Sequence, residues 1–486
     1  MTRAGRGRRV AFYTLGCKVN QYDTEAMAGL FRRAGWEVVD YRQPADVYVV
    51  NTCTVTARSE AQSRQAVRQA RRRNPGALVV VCGCYPQVSG EEALRATGAD
   101  VVLGTRGRGE IVSLVERALR GERRLVEVGP YLPPREVREA GEAGAAGHRP
   151  GEGYEEIPVE AQGRTRAVLK VQEGCDMGCT YCIVPLARGP ARSRDPGAAL
   201  REARRLVAAG FREIVLTGIQ LGAYGRDLGM ADGLAWLVEQ LAATPGLWRL
   251  RVSSLEPVDV SDRFLDVVAA SPVVCPHLHL PLQSGSDRVL EAMGRPYSAA
   301  QYLALVERAR EKVAELALST DVLVGFPGET DEDFAATVRV VERVGFMRLH
   351  VFPYSPRPGT AAARMPDRVP DRVKEERARI LREVGERLAR SFVLGLVGRV
   401  VEVLAEREHG GWVSGLTGNY VRVRFPGGAD LEGCLVEVRI TGAEADGARG
   451  ELVRVVAVGG PPGSGGDEAD GPPCPGGAGG AGGRIG

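Results

Sequence analysis

Along the first hundred residues, apolar runs alternate with helical patterns: VAFYTLG from Val10, a segment from Tyr22 to Ala34, DVYVVN from Asp46, an Arg-rich stretch, then ALVVVCG from Ala77. This alternation predicts a parallel α/β domain over 9–120. It resumes over 161–392 with six strand-like runs, Ala167–Glu173, Glu213–Gly218, Arg249–Ser254, His277–Leu282, Leu316–Val324 and Arg348–Tyr354, separated by amphipathic segments. Six βα units predict a partial (β/α)6 barrel, followed by a long charged helix from Asp371 to Phe392. Over 394–459 the period changes to two between Gly-rich turns (RVVEVLAE, GWVSGLTGNYVRVRF, LVEVRI), the pattern of a small β-barrel. Residues 131–160 lose all periodicity and fill with Gly, Ala, Pro and charge, which reads as a linker. The tail 460–486 has almost nothing apolar to bury and is expected to be disordered.

Composition narrows this picture. With 486 residues, 44% hydrophobic and 26% charged, the chain suits several globular domains and is neither a fibre nor a tail. A net charge of only +3 gives no global field for nucleic acid, so any RNA contact must come from local patches. Lys occurs only at positions 18, 170, 312 and 374, so abundance of Arg by itself says little. The stretch from Arg58 to Arg73, offset only by Glu60, is either a solvated helix face or a phosphate contact. The basic start MTRAGRGRR leads into a short apolar run with no cleavage site, and no segment reaches the length of a membrane span. Ten cysteines are too few for a disulfide scaffold, and their clustering points to metal binding in a reducing compartment. The expected location is the cytoplasm, with no membrane partner.

The candidate chemistry begins at Glu173-Gly174-Cys175-Asp176-Met177-Gly178-Cys179-Thr180-Tyr181-Cys182, where three cysteines are spaced C-x3-C-x2-C. Three clustered thiolates suit three corners of a cubic iron-sulphur centre and leave the fourth iron open for chemistry. Zinc would need a fourth ligand, and the next histidine, His277, is remote in sequence. Cys17, Cys53 and Cys84 each follow one of the amino-terminal apolar runs. In a parallel sheet the loops after the strands share one edge, so these three either meet as a second metal site or stand as separate buried thiols. Cys82 reads as a spare thiol, and Cys275, Cys434 and Cys474 have no assigned role.

The barrel strands end in TGIQLGAYG, SSLEP, LQSGSD, GFPGET and YSPRPGT. Such ends build the site of a βα barrel. Gly218, Gly222 and Gly225 permit close backbone approach, while Ser253, Glu256 and Gln283 offer groups for ribose, ammonium or carboxylate. His277, His279 and His350 fall in strand patterns and are left unassigned. In the last domain, Trp412, Tyr420 and Phe425 with Arg422 and Arg424 are either stacking and phosphate contacts for single-stranded RNA or ordinary barrel core.

The string GCDMGCTYCIVPLARGPARSRDP resembles the methylthiotransferase branch of the radical S-adenosylmethionine enzymes, and the resemblance extends from about Arg9 to Val458. It implies a radical-SAM barrel in which Cys175, Cys179 and Cys182 hold a [4Fe-4S] cluster that cleaves S-adenosylmethionine. TLGCKVNQYDTE, NTCTVT and GCYPQ are similar to the motifs that hold an auxiliary [4Fe-4S] cluster, implying catalytic roles for Cys17, Cys53 and Cys84. The resemblance further implies that Tyr181 packs on adenine and that TDVLVGFPGET, with Gly325, lies on the adenine side. Gly218, Gln220, Ser253, Glu256 and Gln283 complete the expected cofactor contacts. The small β-barrel is similar to a TRAM domain.

The implied substrate is tRNA, served by an external electron donor and a sulphur source, with no role for DNA. TLGCKVN, EGCDMGCTYCIVPLARG and TGIQLGAYG look most like the enzymes that methylthiolate threonylcarbamoyladenosine beside the anticodon. Isopentenyladenosine and a ribosomal-protein aspartate are the branch's other substrates. An aromatic C–H bond resists acid–base activation, which is the reason to need a radical. A reading of another class is a non-catalytic iron-sulphur RNA-binding redox sensor, distinguished by its failure to cleave S-adenosylmethionine.

Overall fold

The computed structural model describes residues 7–129, 153–159 and 165–459. The amino-terminal domain is a six-stranded, all-parallel sheet in the order β2-β1-β3-β4-β5-β6. Its strands are β1 (Arg9–Thr14), β2 (Glu37–Val39), β3 (Val47–Thr52), β4 (Leu78–Gly83), β5 (Val101–Leu103) and β6 (Leu125–Glu127). Every residue of β3 and β4 is buried, which is why these two were legible as continuous apolar runs. β2, β5 and β6 are three residues each, too short to leave a periodic signature. Helix α1 (Lys18–Arg33) starts four residues before the Tyr22 expected from its apolar pattern. Its first turn is polar because Asn20 reaches back to the sheet edge, donating to the carbonyls of Leu15 (2.6 Å) and Thr52 (2.9 Å). Helix α2 (Ala57–Arg73) begins at the capping side chain of Thr56, which accepts from the Ser59 amide.

Six parallel strands form the middle domain: β7 (Arg166–Lys170), β10 (Glu213–Thr217), β11 (Arg249–Val252), β12 (His277–His279), β13 (Ala317–Val324) and β14 (Arg348–Pro353). They make two three-stranded sheets, β7-β10-β11 and β12-β13-β14, joined by parallel bridges Leu250 to Val274 and Ser254 to His279. The short antiparallel pair β8 (Gln172–Glu173) and β9 (Arg192–Ser193) follows β7. Tyr22 and Ala26 of α1 pack with Val168 of β7, so a helix of the first domain lies along the partial barrel.

Of the expected linker 131–160, only 153–159 falls among the described residues, and this piece is packed rather than loose. Tyr154, Ile157 and Val159 are buried. Tyr154 Oη donates to the Lys170 carbonyl at 2.8 Å, and Glu155 accepts from Arg108 at 2.9 Å. The expected disordered tail lies outside the described residues.

A 24-residue helix, Asp371–Leu394, leads to a closed five-stranded barrel, ordered β15-β16-β17-β19-β18, built from β15 (Val400–His409), β16 (Trp412–Thr417), β17 (Arg422–Pro426), β18 (Leu435–Glu444) and β19 (Gly447–Ala457). It is TRAM-like. Two of its anticipated RNA-contacting aromatics are committed elsewhere. Phe425 is fully buried in the barrel core. Tyr420, at φ +72°, sits against the lower end of the (β/α)6 barrel, stacked on His277 at 4.8 Å and under the Arg251 guanidinium at 4.5 Å. Trp412 remains half-buried with Arg424 over its ring.

Arginines at the lower barrel rim fix this docking by donating to backbone carbonyls of the small barrel. Arg249 reaches Leu416 (2.7 Å) and Glu402 (3.0 Å), and Arg251 reaches Gly418 (2.9 Å) and Thr417 (3.1 Å). Arg251 also pairs with the fully buried Glu213 at 2.9 Å. Removing one partner of a buried pair leaves the other charge desolvated. Arg251→Met is therefore expected to destabilise the protein by about 3–5 kcal/mol, seen as a lowered denaturant midpoint; an unchanged midpoint would contradict this docking.

Candidate active site

The cysteine loop after β8 is shaped by backbone contacts that no single motif residue reveals. Gly174 has φ +75°, and a Cβ there would collide with the Pro190 and Gly189 backbone, so only glycine fits beside Cys175. The Cys175 amide donates to the Gly189 carbonyl at 3.0 Å, and the Cys182 amide to the Cys179 carbonyl at 3.1 Å. Thr180 ties the loop to the Met293 and Ala292 carbonyls at 2.9 and 2.8 Å. Gln220 braces the loop too: its side-chain oxygen accepts from the Asp176 amide at 3.1 Å. All three cysteines are half-buried. Burial pushes the Cys182 thiol up to about 12 and raises Cys175 and Cys179 as well. A metal ion held here would have to displace these protons, and its charge would then replace the solvation the thiolates lack.

Arg295, which the sequence reading missed, donates to Cys179 Sγ at 3.1 Å and is ion-paired with Glu256. Burial raises the Glu256 carboxyl above its ordinary range against the pull of Arg295. Glu256 thus lies beside the cysteine loop, as expected. Tyr181 packs edge-on to Phe326 at 6.4 Å, placing the GFPGET loop next to Cys182. Other predicted cofactor contacts are explained by protein neighbours. Gly218 makes room for Gln172 and Leu221, and Gly325 for Lys374. Ser253 is buried with its hydroxyl 3.4 Å from Thr217. Gln283 adopts φ +63° to bridge Asp321 and Leu323 through its backbone.

The second cysteine set gathers where β1, β3 and β4 end. Cys17 caps α1, Cys53 follows β3, and Cys84 opens the six-residue helix after β4. Gly83 before Cys84 has φ +96° and is pressed onto the Thr52 backbone. A Cβ on Gly16 would touch Cys53 at 3.0 Å, so the loops of Cys17 and Cys53 are in contact. Burial pushes Cys84 up to about 12, with Cys53 and Cys17 close enough to add to the shift. Cys82 is separate, pointing to the Val50 carbonyl at 3.7 Å. Cys275 and Cys434 are buried apart from both sets.

Between the two sets runs a buried ionic junction. Asp23 of α1 accepts from Lys170 (2.6 Å), Arg188 (2.9 Å) and Arg108. Glu173 accepts from Arg188 (2.7 Å), Lys170 (2.9 Å) and Arg108 (3.4 Å). Burial opposes charge on both carboxyls, and the surrounding cations outweigh it and hold both below the ordinary range. Arg188 also donates Nε to Cys84 Sγ at 3.3 Å and a further N–H to Asn20. With Glu155 also paired to Arg108, three cations face three carboxylates here. The Arg188 N–H placed on Cys84 Sγ suits an anionic thiolate-metal group at this cysteine set.

The Radical SAM superfamily matches residues 169–341, and the family described as "Uncharacterized protein family UPF0004" matches residues 9–104. The chain is 41% identical over 453 residues to the threonylcarbamoyladenosine tRNA methylthiotransferase MtaB of Bacillus subtilis, covering 92% of this chain and 97% of that one. It is 34% identical to the tRNA-2-methylthio-N(6)-dimethylallyladenosine synthase of Pelotomaculum thermopropionicum, covering 90% and 96%. The radical S-adenosylmethionine methyltransferase TsrM from Kitasatospora setae, solved with cobalamin and a [4Fe-4S] cluster, shares the fold at TM-score 0.52 and 17% identity, covering 74% of each chain. The barrel and its cysteine loop define a radical S-adenosylmethionine enzyme, whose class chemistry uses a [4Fe-4S] cluster and S-adenosylmethionine. More particularly, the chain belongs to the radical S-adenosylmethionine methylthiotransferase family.

In metal-free protein at pH 8, exposed Cys17 is expected to alkylate before Cys84 and Cys182, because their greater enclosure shields them and keeps them protonated. Peptide mass spectrometry after iodoacetamide treatment reads the order. Equal rates at all three would contradict it.

Proposed function

We propose that the protein is a cytoplasmic tRNA methylthiotransferase that places a methylthio group on C2 of N6-threonylcarbamoyladenosine next to the anticodon. The observation that carries this reading is the pair of cysteine sets joined through one buried junction, in a chain 41% identical to an enzyme named for that substrate. The 34% identity to a dimethylallyladenosine synthase keeps that adenosine as the second reading.

Cys175, Cys179 and Cys182 would hold the cluster that binds S-adenosylmethionine, and Cys17, Cys53 and Cys84 an auxiliary cluster. When bound, the two groups supply a carbon-centred radical and a transferable sulphur, drawing on an external electron donor and a sulphur source. The chain's own residues position these groups. Arg295 and Arg188 each place an N–H on one cysteine sulphur, Cys179 and Cys84, which neutralises charge without occupying a ligand position. Glu256 orients Arg295, and Asp23 and Glu173 orient Arg188. Tyr181 offers the aromatic face expected to pack on adenine.

Exposed Arg58, Arg68 and Arg72 on α2, together with Arg422, Arg424 and Trp412, are the groups on offer for tRNA phosphates and bases. No DNA contact enters this reading.

Anaerobically reconstituted protein is expected to cleave S-adenosylmethionine to 5'-deoxyadenosine and to methylthiolate threonylcarbamoylated tRNA. Cys175→Ala should abolish cleavage, whereas Cys84→Ala should keep cleavage and lose thiolation. Normal thiolation by both variants would overturn the two-cluster reading. Nucleoside mass spectrometry of tRNA from cells lacking the gene should show loss of the methylthio-threonylcarbamoyl nucleoside, and an unchanged level would overturn the substrate assignment.

A further inference from the structure

Inside the (β/α)6 barrel lies a group of polar side chains that the cluster chemistry leaves unused. Asp321 and His350 are register partners on β13 and β14, and His279 of β12 is partnered with Ser319, two residues before Asp321 on the same face. The three therefore project from one side of the sheet. Their ligand atoms all lie within 4.8 Å of one another, and His279 Nε2 is 3.3 Å from Asp321 Oδ1. Ser319 Oγ contacts both His279 Nδ1 and His277 Nε2 at 2.9 Å, fixing the ring of His279 so that Nε2 faces Asp321.

Lys18 joins this group from the first domain. It directly follows Cys17, and its ammonium lies 6.0 Å from the Tyr420 ring, which itself stacks on His277. Among the described residues no carboxylate lies within ion-pairing distance of it, although the side chain is largely enclosed. It is near enough to act electrostatically on His350, and Arg166, Arg251, Glu213 and the Tyr420 hydroxyl act on it from the lower barrel rim. A half-buried ammonium without a counter-ion is costly unless a ligand supplies one. The same ammonium, with Arg348 also acting on His350, disfavours a bare divalent cation between the histidines. An anionic organic group is the better complement.

We propose that Lys18, His279, His350 and Asp321 form a binding site for the amino-acid substituent of the substrate adenosine, with Lys18 and His350 taking its carboxylate and the His279–Asp321 pair its hydroxyl or amide. The inference rests on the threonylcarbamoyladenosine reading above. That substituent differs from an isopentenyl group chiefly in a carboxylate and hydrogen-bonding groups, and a site built to satisfy such groups rejects a ligand lacking them. Lys18 lies one residue from a ligand of the proposed sulphur-bearing cluster. A substituent on N6 would therefore be held close to the point of transfer at C2. None of the four is a cluster ligand, and they act as specificity-determining contacts.

The test compares dissociation constants of the cluster-loaded enzyme for an anticodon stem-loop carrying threonylcarbamoyladenosine, the same stem-loop with unmodified adenosine, and one with isopentenyladenosine. Wild-type protein should bind the first at least about tenfold more tightly than the other two. Lys18→Met and His350→Phe should each remove most of that preference without weakening the unmodified stem-loop, and Lys18→Arg should restore part of it. Iron content and circular dichroism control for folding and cluster loading, and His350→Phe, remote in sequence from all six cysteines, guards against a Lys18 effect on Cys17. A preference retained in both variants would overturn the site while leaving the substrate assignment standing. A wild-type enzyme with no preference, or one favouring isopentenyladenosine, would overturn both.

Discussion

The interaction on which the rest of the structure depends is the ionic junction of Asp23, Arg108, Lys170, Glu173 and Arg188. Two domains meet there: Asp23 of the first helix and Arg108 beyond the fifth strand come from the amino-terminal domain, and the others flank the barrel's cysteine loop. A buried ion group is poor evidence of stability by itself, because desolvation offsets much of the attraction. Its stronger consequence is geometric. These side chains, with Glu155 as a further partner of Arg108, satisfy one another in one relative placement of the two domains, and that placement carries Arg188 to Cys84. The cysteine loop of the barrel and the dispersed cysteines are thereby held as one unit.

The small barrel is attached by a different principle. Arg249 and Arg251 donate to its backbone carbonyls, and Tyr420 is pinned in a left-handed conformation between His277 and Arg251. Contacts of this kind do not depend on the identity of the residue whose carbonyl accepts. Arg422 and Arg424 of β17 stay exposed, paired with Glu406 and Glu444.

Much of this was legible in the sequence where burial is continuous or spacing is local. β3 and β4 announce themselves because both faces are covered, and Cys175, Cys179 and Cys182 because one loop carries all three. The three-residue strands β2, β5 and β6 leave no pattern, and 153–159 reads as linker because its apolar residues are too few to show a period. Arg188 and Arg295 stood unremarked among the many arginines, since nothing local distinguishes one that meets a sulphur from one that meets water. Phe425 takes the core alternative and Tyr420 packs on the neighbouring barrel, a choice the sequence leaves open because an aromatic at a barrel position has the same spacing whether it faces RNA, core or another domain.

The central claim is that folding assembles two separate metal-binding cysteine sets around that junction. Iron and sulphide per chain, measured after anaerobic reconstitution of the wild type and of a variant with Cys17, Cys53 and Cys84 all changed to Ala, tests it most directly. Two clusters in the wild type and one in the variant are predicted. A single cluster in both would contradict the account.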